Sequence, residues 1–255
     1  MSRDGLYAVW NHGWWHGDVQ GWTVRILLQA NPKYLHPCRQ CRLEPWMAAL
    51  PVNHNLRIKM KSFSEACERN KSVILSTIEP YLKSFTNVLE VGSGNGQHAI
   101  YFAQNMSWLN WQTSDCEENH ADINEWIEGY NGNNVNRPVA LNVVQDPWPQ
   151  QYYDAVYSAN TVHIMPWDAV EVFFSGVGKI LERGGIFMLY GPFNYNGAFS
   201  CESNRKFEGW LKSVDSERGI RDFESINQLA DQAKMTLLED IEMPANNRIL
   251  IWKKQ

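Results

Sequence analysis

The sequence predicts an α/β domain with a mostly parallel sheet and helices on both of its faces. Two observations support this prediction. From about residue 60 onwards, short apolar segments alternate with amphipathic segments of helical period, which is the pattern of a parallel sheet connected by helices. The last two strand-like segments are separated only by Met243-Pro244-Ala245-Asn246-Asn247, and so short a connection allows only an antiparallel hairpin.

The individual elements follow in order after Met60. Ser62 and Glu65 fit a capping box at the start of a helix that runs from about 63 to 84. Asp168 and Glu171 fit a second capping box, for a helix over 168–181 that stops before Gly184. Further helices are predicted over 97–106, 118–130, 204–213 and 224–233. Strands are predicted over 87–91, 109–114, 138–143, 153–159, 186–190, 236–242 and 248–253.

The terminal hairpin narrows the fold class. Such an ending is unusual for a nicotinamide-binding Rossmann domain, whereas seven strands with the last one inserted antiparallel are typical of the class I methyltransferase fold. We therefore predict a Rossmann-like class I methyltransferase fold, with a mostly parallel seven-stranded sheet, a C-terminal antiparallel hairpin and helices on both faces. Because one fold can carry many functions, the function has to be argued from the site.

The composition argues against several classes of protein. The chain has 255 residues, a net charge of −5 and 44% hydrophobic residues, which suits a domain with a sizeable core. Lys and Arg are scattered, so no basic face for nucleic acid is predicted. No apolar run approaches the ~18 residues of a membrane span, and the five widely spread cysteines do not suggest a disulfide framework. We expect a cytoplasmic protein with no nucleic-acid or membrane partner.

The main functional signal is a glycine-rich loop after the first strand of the domain. Glu90 lies near the end of that strand and precedes the loop, and Gly92, Gly94 and Gly96 follow in a G-x-G-x-G pattern. In nicotinamide enzymes the pattern is G-x-G-x-x-G, and the following helix holds a pyrophosphate. S-adenosylmethionine has no phosphate but carries an ammonium group, so a neighbouring acid favours it as the cofactor. The alternative is a glycine turn of some other α/β protein.

Three further positions complete the predicted cofactor site. Asp115 follows the second strand, where a carboxylate can accept both ribose hydroxyls; a helix-capping aspartate is the local alternative. Asn142 and Val143 end the predicted third strand and suit an adenine edge and an adenine face. Asn160 belongs to a polar cluster at the end of the fourth strand, which adjoins the first where the strand order reverses.

His163 is the predicted catalytic residue, because a histidine has a free pKa near neutrality and can take a proton from an acceptor hydroxyl. The alternative is a core histidine packed near Trp167. Five residues are predicted to line the acceptor side: Arg69, Asn70, Tyr190, Asn194 and Tyr195. The chain lacks the Asn/Asp-Pro-Pro-aromatic tetrad that clamps a planar amino group, which argues against adenine or glutamine-amide methylation.

Six segments together carry a resemblance to a known family: Glu68–Asn70, Leu89–His98, Asn160–Trp167, Leu189–Phe193, Gly219–Asp222 and Met243–Asn247. Between about Ser64 and Trp252 the chain resembles the methyltransferase-like protein 26 family, whose members have class I S-adenosylmethionine methyltransferase-like domains of poorly defined substrate. The resemblance implies the fold, the cofactor and an unassigned acceptor. Asn142 departs from it, because the family usually has Asp there, and adenine binding is expected to be weaker.

The first 59 residues differ from the rest. They contain five of the twelve Trp and four of the seven His, without a sustained helical or strand period. We predict that residues 1–59 are a poorly ordered extension, with Met60 as the true translation start, and that 60–255 are the functional domain. The alternative is an aromatic arm that covers the pocket or binds a metal through His36, Cys38, Cys41 and His54. We predict no metal, because the segment shows no fold around that pattern.

Three functions remain open on the sequence. The leading one is an S-adenosylmethionine-dependent methyltransferase acting on a small-molecule acceptor. The second is a non-catalytic S-adenosylmethionine-binding interaction protein, and the third is a nicotinamide-dependent oxidoreductase. The sequence predicts neither the acceptor atom nor the oligomeric state.

Overall fold

The computed structural model describes residues 7–8, 14–19, 22–27 and 61–255. The chain divides into two compact units, Met1–Ile58 and Lys59–Gln255. In the first unit β1 (Tyr7–Ala8), β2 (Trp14–Val19) and β3 (Trp22–Leu27) form an antiparallel sheet, which the sequence pattern does not predict. The rest of the predicted extension, including its His and Cys pattern, lies outside the described residues.

The second unit alternates strands and helices, as predicted. Its helices are α1 (Glu65–Leu82), α2 (Gln97–Asn105), α3 (His120–Glu128), α4 (Trp167–Ile180), α5 (Glu202–Val214) and α6 (Phe223–Gln232). Its strands are β4 (Asn87–Val91), β5 (Asn110–Asp115), β6 (Val135–Ala140), β7 (Tyr153–Ala159), β8 (Leu181–Gly191), β9 (Phe193–Asn194), β10 (Arg221–Asp222), β11 (Met235–Met243) and β12 (Asn247–Lys254). Two 3-10 turns, Glu117–Asn119 and Pro244–Asn246, complete the set described after residue 60.

Seven of these strands form one sheet in the order β11-β12-β8-β7-β4-β5-β6. The five strands from β8 to β6 are parallel, and β12 lies antiparallel to both β8 and β11. This order, with its inserted antiparallel strand, confirms the predicted Rossmann-like methyltransferase fold. The chain builds β4, β5 and β6 outwards and then returns to place β7 on the other side of β4. That reversal opens a crevice beyond the carboxyl ends of β4 and β7.

The sheet separates two apolar clusters. Alternation along β4 shows the division, because Leu89 and Val91 face the cluster under α4 and α6, whereas Val88 faces the cluster under α1 and α2. Each cluster contains a fully buried tryptophan, Trp252 in the first and Trp111 in the second. Among the described helices, none combines the length and apolar character that a membrane crossing requires.

Two predicted capping boxes are wrong in register. The helix α1 begins after Ser64, whose Oγ accepts the Cys67 N–H at 3.3 Å. The backbone carbonyl of Ser62 instead accepts the Trp126 Nε1–H at 2.8 Å. Similarly, α4 begins at Trp167, and the Asp168 carboxylate accepts the N–H of its own neighbour Ala169 at 2.8 Å. At α1, bonds from the distant glycine loop to Ser62 and Ser64 set the first turn.

Two strand boundaries also differ from the prediction. The strand β8 begins at Leu181, immediately after α4, and not at Ile186. The strand β6 ends at Ala140, so that Asn142 and Val143 follow the strand instead of ending it. Both residues therefore lie in a turn beyond the carboxyl edge of the sheet.

Candidate functional site

The loop between β4 and α2 is tightly packed at Gly92 and open to its surroundings at Gly94. At Gly92 (φ +76°) a Cβ would lie 2.5 Å from Thr161 Cγ2, so a side chain there has no room. At Gly94 (φ +60°) no other residue comes within 4 Å of the Cβ position. Gly96 (φ +85°) is the N-cap residue of α2. The loop is therefore packed on the β7 side and open at its apex, where a ligand can reach the backbone.

Asp115 holds the apex of this loop. Its Oδ2 accepts the Gly94 N–H at 2.6 Å, while Oδ1 accepts the Cys116 N–H at 2.7 Å and the Asn119 Nδ2–H at 2.8 Å. Asp115 thus makes local capping bonds, and the same side chain is also the one predicted to bind the cofactor. A carboxylate offers about four acceptor positions, so the three bonds leave one position for a ligand hydroxyl.

Glu90 is buried below the loop, on the α1 side of the sheet, with 2% of its surface exposed. Its Oε2 accepts the Trp111 Nε1–H at 3.1 Å. Burial raises the pKa of this carboxyl to about 7, although the hydrogen bonds from Trp111 and Ser93 oppose the shift. Glu90 is therefore poised to take up or release a proton near neutral pH.

A chain of polar side chains runs from α1 to the end of β8. The thiol of Cys67 lies 3.9 Å from His98 Nδ1, and His98 Nε2 lies 2.8 Å from Asn70 Oδ1. Asn70 in turn hydrogen-bonds the Tyr190 side chain. Burial lowers the pKa of His98 to about 4, with a contribution from the Lys71 charge, so the ring is neutral and the Asn70 acceptor assigns its proton to Nε2.

The start of α1 is fastened to the glycine loop. Gln97 Oε1 accepts the Ser64 N–H at 2.8 Å, and Gln97 Nε2 donates to Glu68 Oε2 at 3.2 Å. Asn95 Nδ2 donates to the Ser62 carbonyl at 3.1 Å. Arg69 does not take part, because its exposed side chain pairs with Glu65 at 3.3 Å. Of the two α1 residues predicted for the acceptor side, only Asn70 faces the interior.

Hydroxyl groups fix the tips of the central strands to one another. Ser158 Oγ donates to the Val91 carbonyl at 2.7 Å and lies 2.8 Å from Thr161 Oγ1. Asn160 adopts a left-handed conformation (φ +58°), and its N–H donates to the Tyr190 carbonyl at 2.9 Å. The predicted polar cluster at the β7 tip is therefore a rigid corner that joins β4, β7 and β8.

His163 lies beyond this corner with 5% of its surface exposed. Its Nδ1 is buried and has no hydrogen-bond partner. Its ring packs edge-on against Phe207 at 5.5 Å, not against Trp167. Burial, together with the charges of Arg221 and Arg218, lowers the pKa of His163 to about 4. The imidazole is therefore neutral at physiological pH and only weakly basic.

The predicted adenine residues form a self-contained turn. Asn142 Oδ1 accepts the Val144 N–H at 3.1 Å and the Gln145 N–H at 3.3 Å. The Asn142 N–H donates to Asp146 Oδ2 at 2.6 Å. The oxygen that was expected to bind adenine is thus engaged locally, and Val143, with 7% of its surface exposed, belongs to the core. The turn still lies at the correct edge of the sheet.

The two remaining acceptor-side residues separate. Tyr195 donates its hydroxyl to Asp240 Oδ2 at 2.8 Å and stacks on Phe223, which places it against β11 and away from His163. Asn194 has 8% of its surface exposed; its Nδ2 donates to the Ile220 carbonyl at 3.5 Å, and its Oδ1 is buried without a partner.

Sequence reasoning missed several polar residues that the structure places around the glycine loop: Ser93, Gln97, His98 and Asp146. Ser158 and Thr161, by contrast, belong to the polar cluster that the sequence predicts at the end of the fourth strand. Gln97 and His98 open the helix after the glycine loop, and that position was the available signal for them.

Comparison with protein families gives one match over most of the chain. The family described as "Protein of unknown function (DUF938)" matches residues 61–254. The chain belongs to this family. The match covers the second structural unit and none of the residues before 61.

Solved structures similar to this DUF938-family chain include several methyltransferases. The chain is 16% identical to the S-adenosylmethionine-dependent methyltransferase SibL (TM-score 0.64), over 74% of this chain and 55% of that one. It is 11% identical to an O-methyltransferase family protein from Burkholderia thailandensis (TM-score 0.62; 74% and 60%). It is 14% identical to human N-acetylserotonin methyltransferase in complex with S-adenosylmethionine (TM-score 0.63; 74% and 53%). The chain therefore spans little more than half the length of these proteins, and at such identities the likeness establishes the fold.

Proposed function

We propose that this DUF938-family protein is an S-adenosylmethionine-dependent methyltransferase with a small-molecule acceptor. The observation that carries the proposal is the apex of the glycine loop at the strand-order reversal. There Gly94 leaves its outer side open, and Asp115 clasps its N–H while keeping one acceptor position. The hydroxyl-bearing adenosine end of S-adenosylmethionine suits that arrangement better than a pyrophosphate, which the Asp115 carboxylate would repel.

The residues around the loop fit the cofactor. Asp115 would accept a ribose hydroxyl, and Glu90 would attract the ammonium group from the α1 side. The cofactor, when bound, supplies an activated methyl group on a sulfonium. The chain contributes mainly orientation, because the corner at Ser158 and Asn160 fixes the strand tips against each other. His163 would accept the proton that an acceptor hydroxyl loses.

Two likenesses support this proposal from outside the site. The similar structures include human N-acetylserotonin methyltransferase in complex with S-adenosylmethionine, and the sequence resembles the methyltransferase-like protein 26 family. We further propose a cytoplasmic protein, since an odd cysteine count suits a reducing compartment. We propose neither a nucleic-acid nor a membrane partner.

A second candidate is a non-catalytic S-adenosylmethionine-binding protein. The observation that favours it is His163, whose burial and pKa of about 4 make it a poor proton acceptor at neutral pH. A nicotinamide oxidoreductase is not proposed, because the antiparallel β12 and the two carboxylates beside the loop suit that cofactor badly.

Calorimetric titration of the full chain with S-adenosylmethionine and, separately, with NAD tests the proposal. We expect saturable binding of the first and none of the second. Binding of NAD alone, or of neither, would contradict it. Incubation with methyl-labelled cofactor and a small-molecule extract then separates the two candidates, since label transfer requires a catalyst.

A further inference from the structure

Three segments of the family resemblance come together beyond the tips of β7 and β8. The Gly219 N–H donates to the His163 carbonyl at 3.0 Å, which joins 219–222 to 160–167. Arg221 strengthens the join, because its Nε donates to the Val162 carbonyl at 3.0 Å and its Nη2 to that of Met165. The parallel pairing of β9 with β10 attaches the segment after β8.

Three polar atoms at this junction have no hydrogen-bond partner although they are buried. They are His163 Nδ1, Asn194 Oδ1 and Asp222 Oδ1. Asn194 and Asp222 are register partners in the β9–β10 pair, so their side chains lie next to each other on one face. An unsatisfied buried polar atom costs about 1–3 kcal/mol, and three in one place indicate a missing partner.

Most of the neighbouring donors are committed elsewhere. The Arg221 guanidinium bonds the backbone carbonyls of Val162, Met165 and Glu217. Arg218 Nε lies 4.0 Å from the Asp215 carboxylate and is a further buried atom without a hydrogen-bond partner. The two side-chain oxygens of Asn194 and Asp222 can only accept hydrogen bonds. The partner missing from these two oxygens is therefore a donor.

An aromatic surface and a small gap border these atoms. Phe207 of α5 packs edge-on against the His163 ring and stacks on Trp210, whose centroid is 5.6 Å away. Trp210 is 56% exposed, so the aromatic pair continues to the surface. A Cβ at Gly191 would lie 3.8 Å from His163 Nδ1, an ordinary contact distance. Gly191 thus leaves a gap of about one methyl group in front of the imidazole.

We propose that this junction is the acceptor-binding subsite, and that its ligand is an aromatic compound carrying an amine. The amine donates to Asn194 Oδ1 and Asp222 Oδ1, and the aromatic ring lies against Phe207. The assignment of the ligand as the methyl acceptor rests on the proposed function. An anionic side chain in place of the amine could donate to neither oxygen and would meet the Asp222 carboxylate.

The test uses two probes that share a phenol ring and differ in the charge of the side chain, tyramine and 4-hydroxyphenylacetate. Each is titrated calorimetrically into the full chain, with and without S-adenosylmethionine. Asn194→Leu removes one acceptor oxygen at similar volume, and Gly191→Ala fills the gap before His163 Nδ1 without a clash. Gly209→Ala is the control, because Gly209 lies on α5 with nothing within 4 Å of its Cβ position.

We expect saturable binding of tyramine and none of 4-hydroxyphenylacetate. Asn194→Leu and Gly191→Ala should each weaken tyramine binding by about tenfold or more, while Gly209→Ala binds normally and all three variants keep their affinity for S-adenosylmethionine. Equal binding of the two probes, binding of neither, or tyramine binding that both variants retain would overturn the proposal. Saturable binding of Mn²⁺ that Asn194→Leu abolishes would overturn it too, by assigning the oxygens to a cation. Failure of S-adenosylmethionine to bind would instead contradict the proposed function, because the amine titration without cofactor is independent of it.

Discussion

Asp115 and Glu90 approach the same loop from opposite sides, and their surroundings give the two carboxylates different roles. Asp115 lies at the carboxyl edge of β5 and accepts three hydrogen bonds. Glu90 is enclosed between Trp111 and the α1 side, where burial raises its pKa to about 7. One carboxylate therefore orders the backbone, and the other responds to charge and pH.

Replacing Asp115 by Ala should weaken S-adenosylmethionine binding by ~1–3 kcal/mol, because the proposed charge-assisted bond to the ribose and the observed bond from the Gly94 N–H would both be lost. That corresponds to roughly a ten- to hundredfold increase in Kd, measurable by calorimetry. Asp115→Asn is the matched control, since it keeps one oxygen. Its affinity for S-adenosylmethionine should lie between those of the wild type and Asp115→Ala. Unchanged affinity in Asp115→Ala would remove this residue from the cofactor site.

Replacing Glu90 by Gln should change how stability depends on pH. The folded protein keeps Glu90 protonated up to pH about 7, whereas the unfolded chain releases that proton near the ordinary pKa of 4.5. Stability from this group is therefore full below pH 4.5 and is lost as pH rises through 7. Between pH 5 and 8 the wild type should lose about 3 kcal/mol relative to Glu90→Gln.

Denaturant unfolding of the two proteins at a series of pH values measures this difference. Using the difference cancels His98 and His163, whose lowered pKa values of about 4 act in the opposite direction and reduce stability as pH falls below 6.5. Parallel curves for wild type and Glu90→Gln would mean that the carboxylate stays ionised in the folded protein.

For individual residues, the sequence predicts where a residue lies in the fold better than which side chains it contacts. Asp115 and Glu90 are identifiable because they flank a glycine loop in a recognisable order. The bond between His98 and Asn70 joins residues 28 positions apart, across two helices, and no local pattern encodes it. Asn142 lies after β6 and not within it as predicted, and its side chain caps its own turn, which is a competing local bond available to every Asn.

At the scale of elements, alanine substitutions at two glycines distinguish the cost of backbone strain from the loss of a ligand contact. Gly94 and Gly197 both have positive φ, +60° and +70°, and both have open space around the Cβ position. Alanine at either site should therefore lose a similar amount of stability, about 1–2 kcal/mol. Only Gly94→Ala should also weaken S-adenosylmethionine binding, because its methyl group occupies the space left for the ligand.

Thermal unfolding and calorimetry on the two variants check this prediction. Equal affinity for S-adenosylmethionine in Gly94→Ala and Gly197→Ala would show that the apex of the loop does not face the cofactor. A loss of affinity in both would point to a general effect of destabilisation.

The start of α1 shows why element boundaries resist sequence reasoning. Ser62 and Ser64 both precede the helix and both suit an N-cap position. The choice depends on Gln97 and Asn95, which bind the Ser64 N–H and the Ser62 carbonyl from the distant glycine loop. Once the Ser62 carbonyl is also taken by Trp126, the helix has to begin at the later serine.

At the scale of the whole molecule, the sheet was predictable because each strand is a short apolar segment and each crossover a periodic helix. The order of the strands followed from the fold class suggested by the terminal hairpin. The side chains that line the crevice could not be predicted from the sequence, because six or more elements contribute them. The second unit is self-sufficient in this sense, since its sheet and both apolar clusters come from residues after 73.

A chain starting at Met60 should therefore melt at the same temperature as the full chain and bind S-adenosylmethionine equally well. The short segment after Met60 is a different matter. The Ser62 carbonyl accepts two side-chain donors, Ser64 caps α1, and the Lys61 ammonium lies 3.5 Å above the Trp126 ring. A chain starting at Glu65 removes all of these contacts, and it should lose several kcal/mol of stability, since a lost cap and each lost bond cost about 1 kcal/mol. Thermal unfolding of the full chain and of the two shortened chains distinguishes the cases. If both shortened chains lose the same stability, residues before 60 support the domain. If neither loses stability, the contacts of Lys61, Ser62 and Ser64 contribute nothing to it.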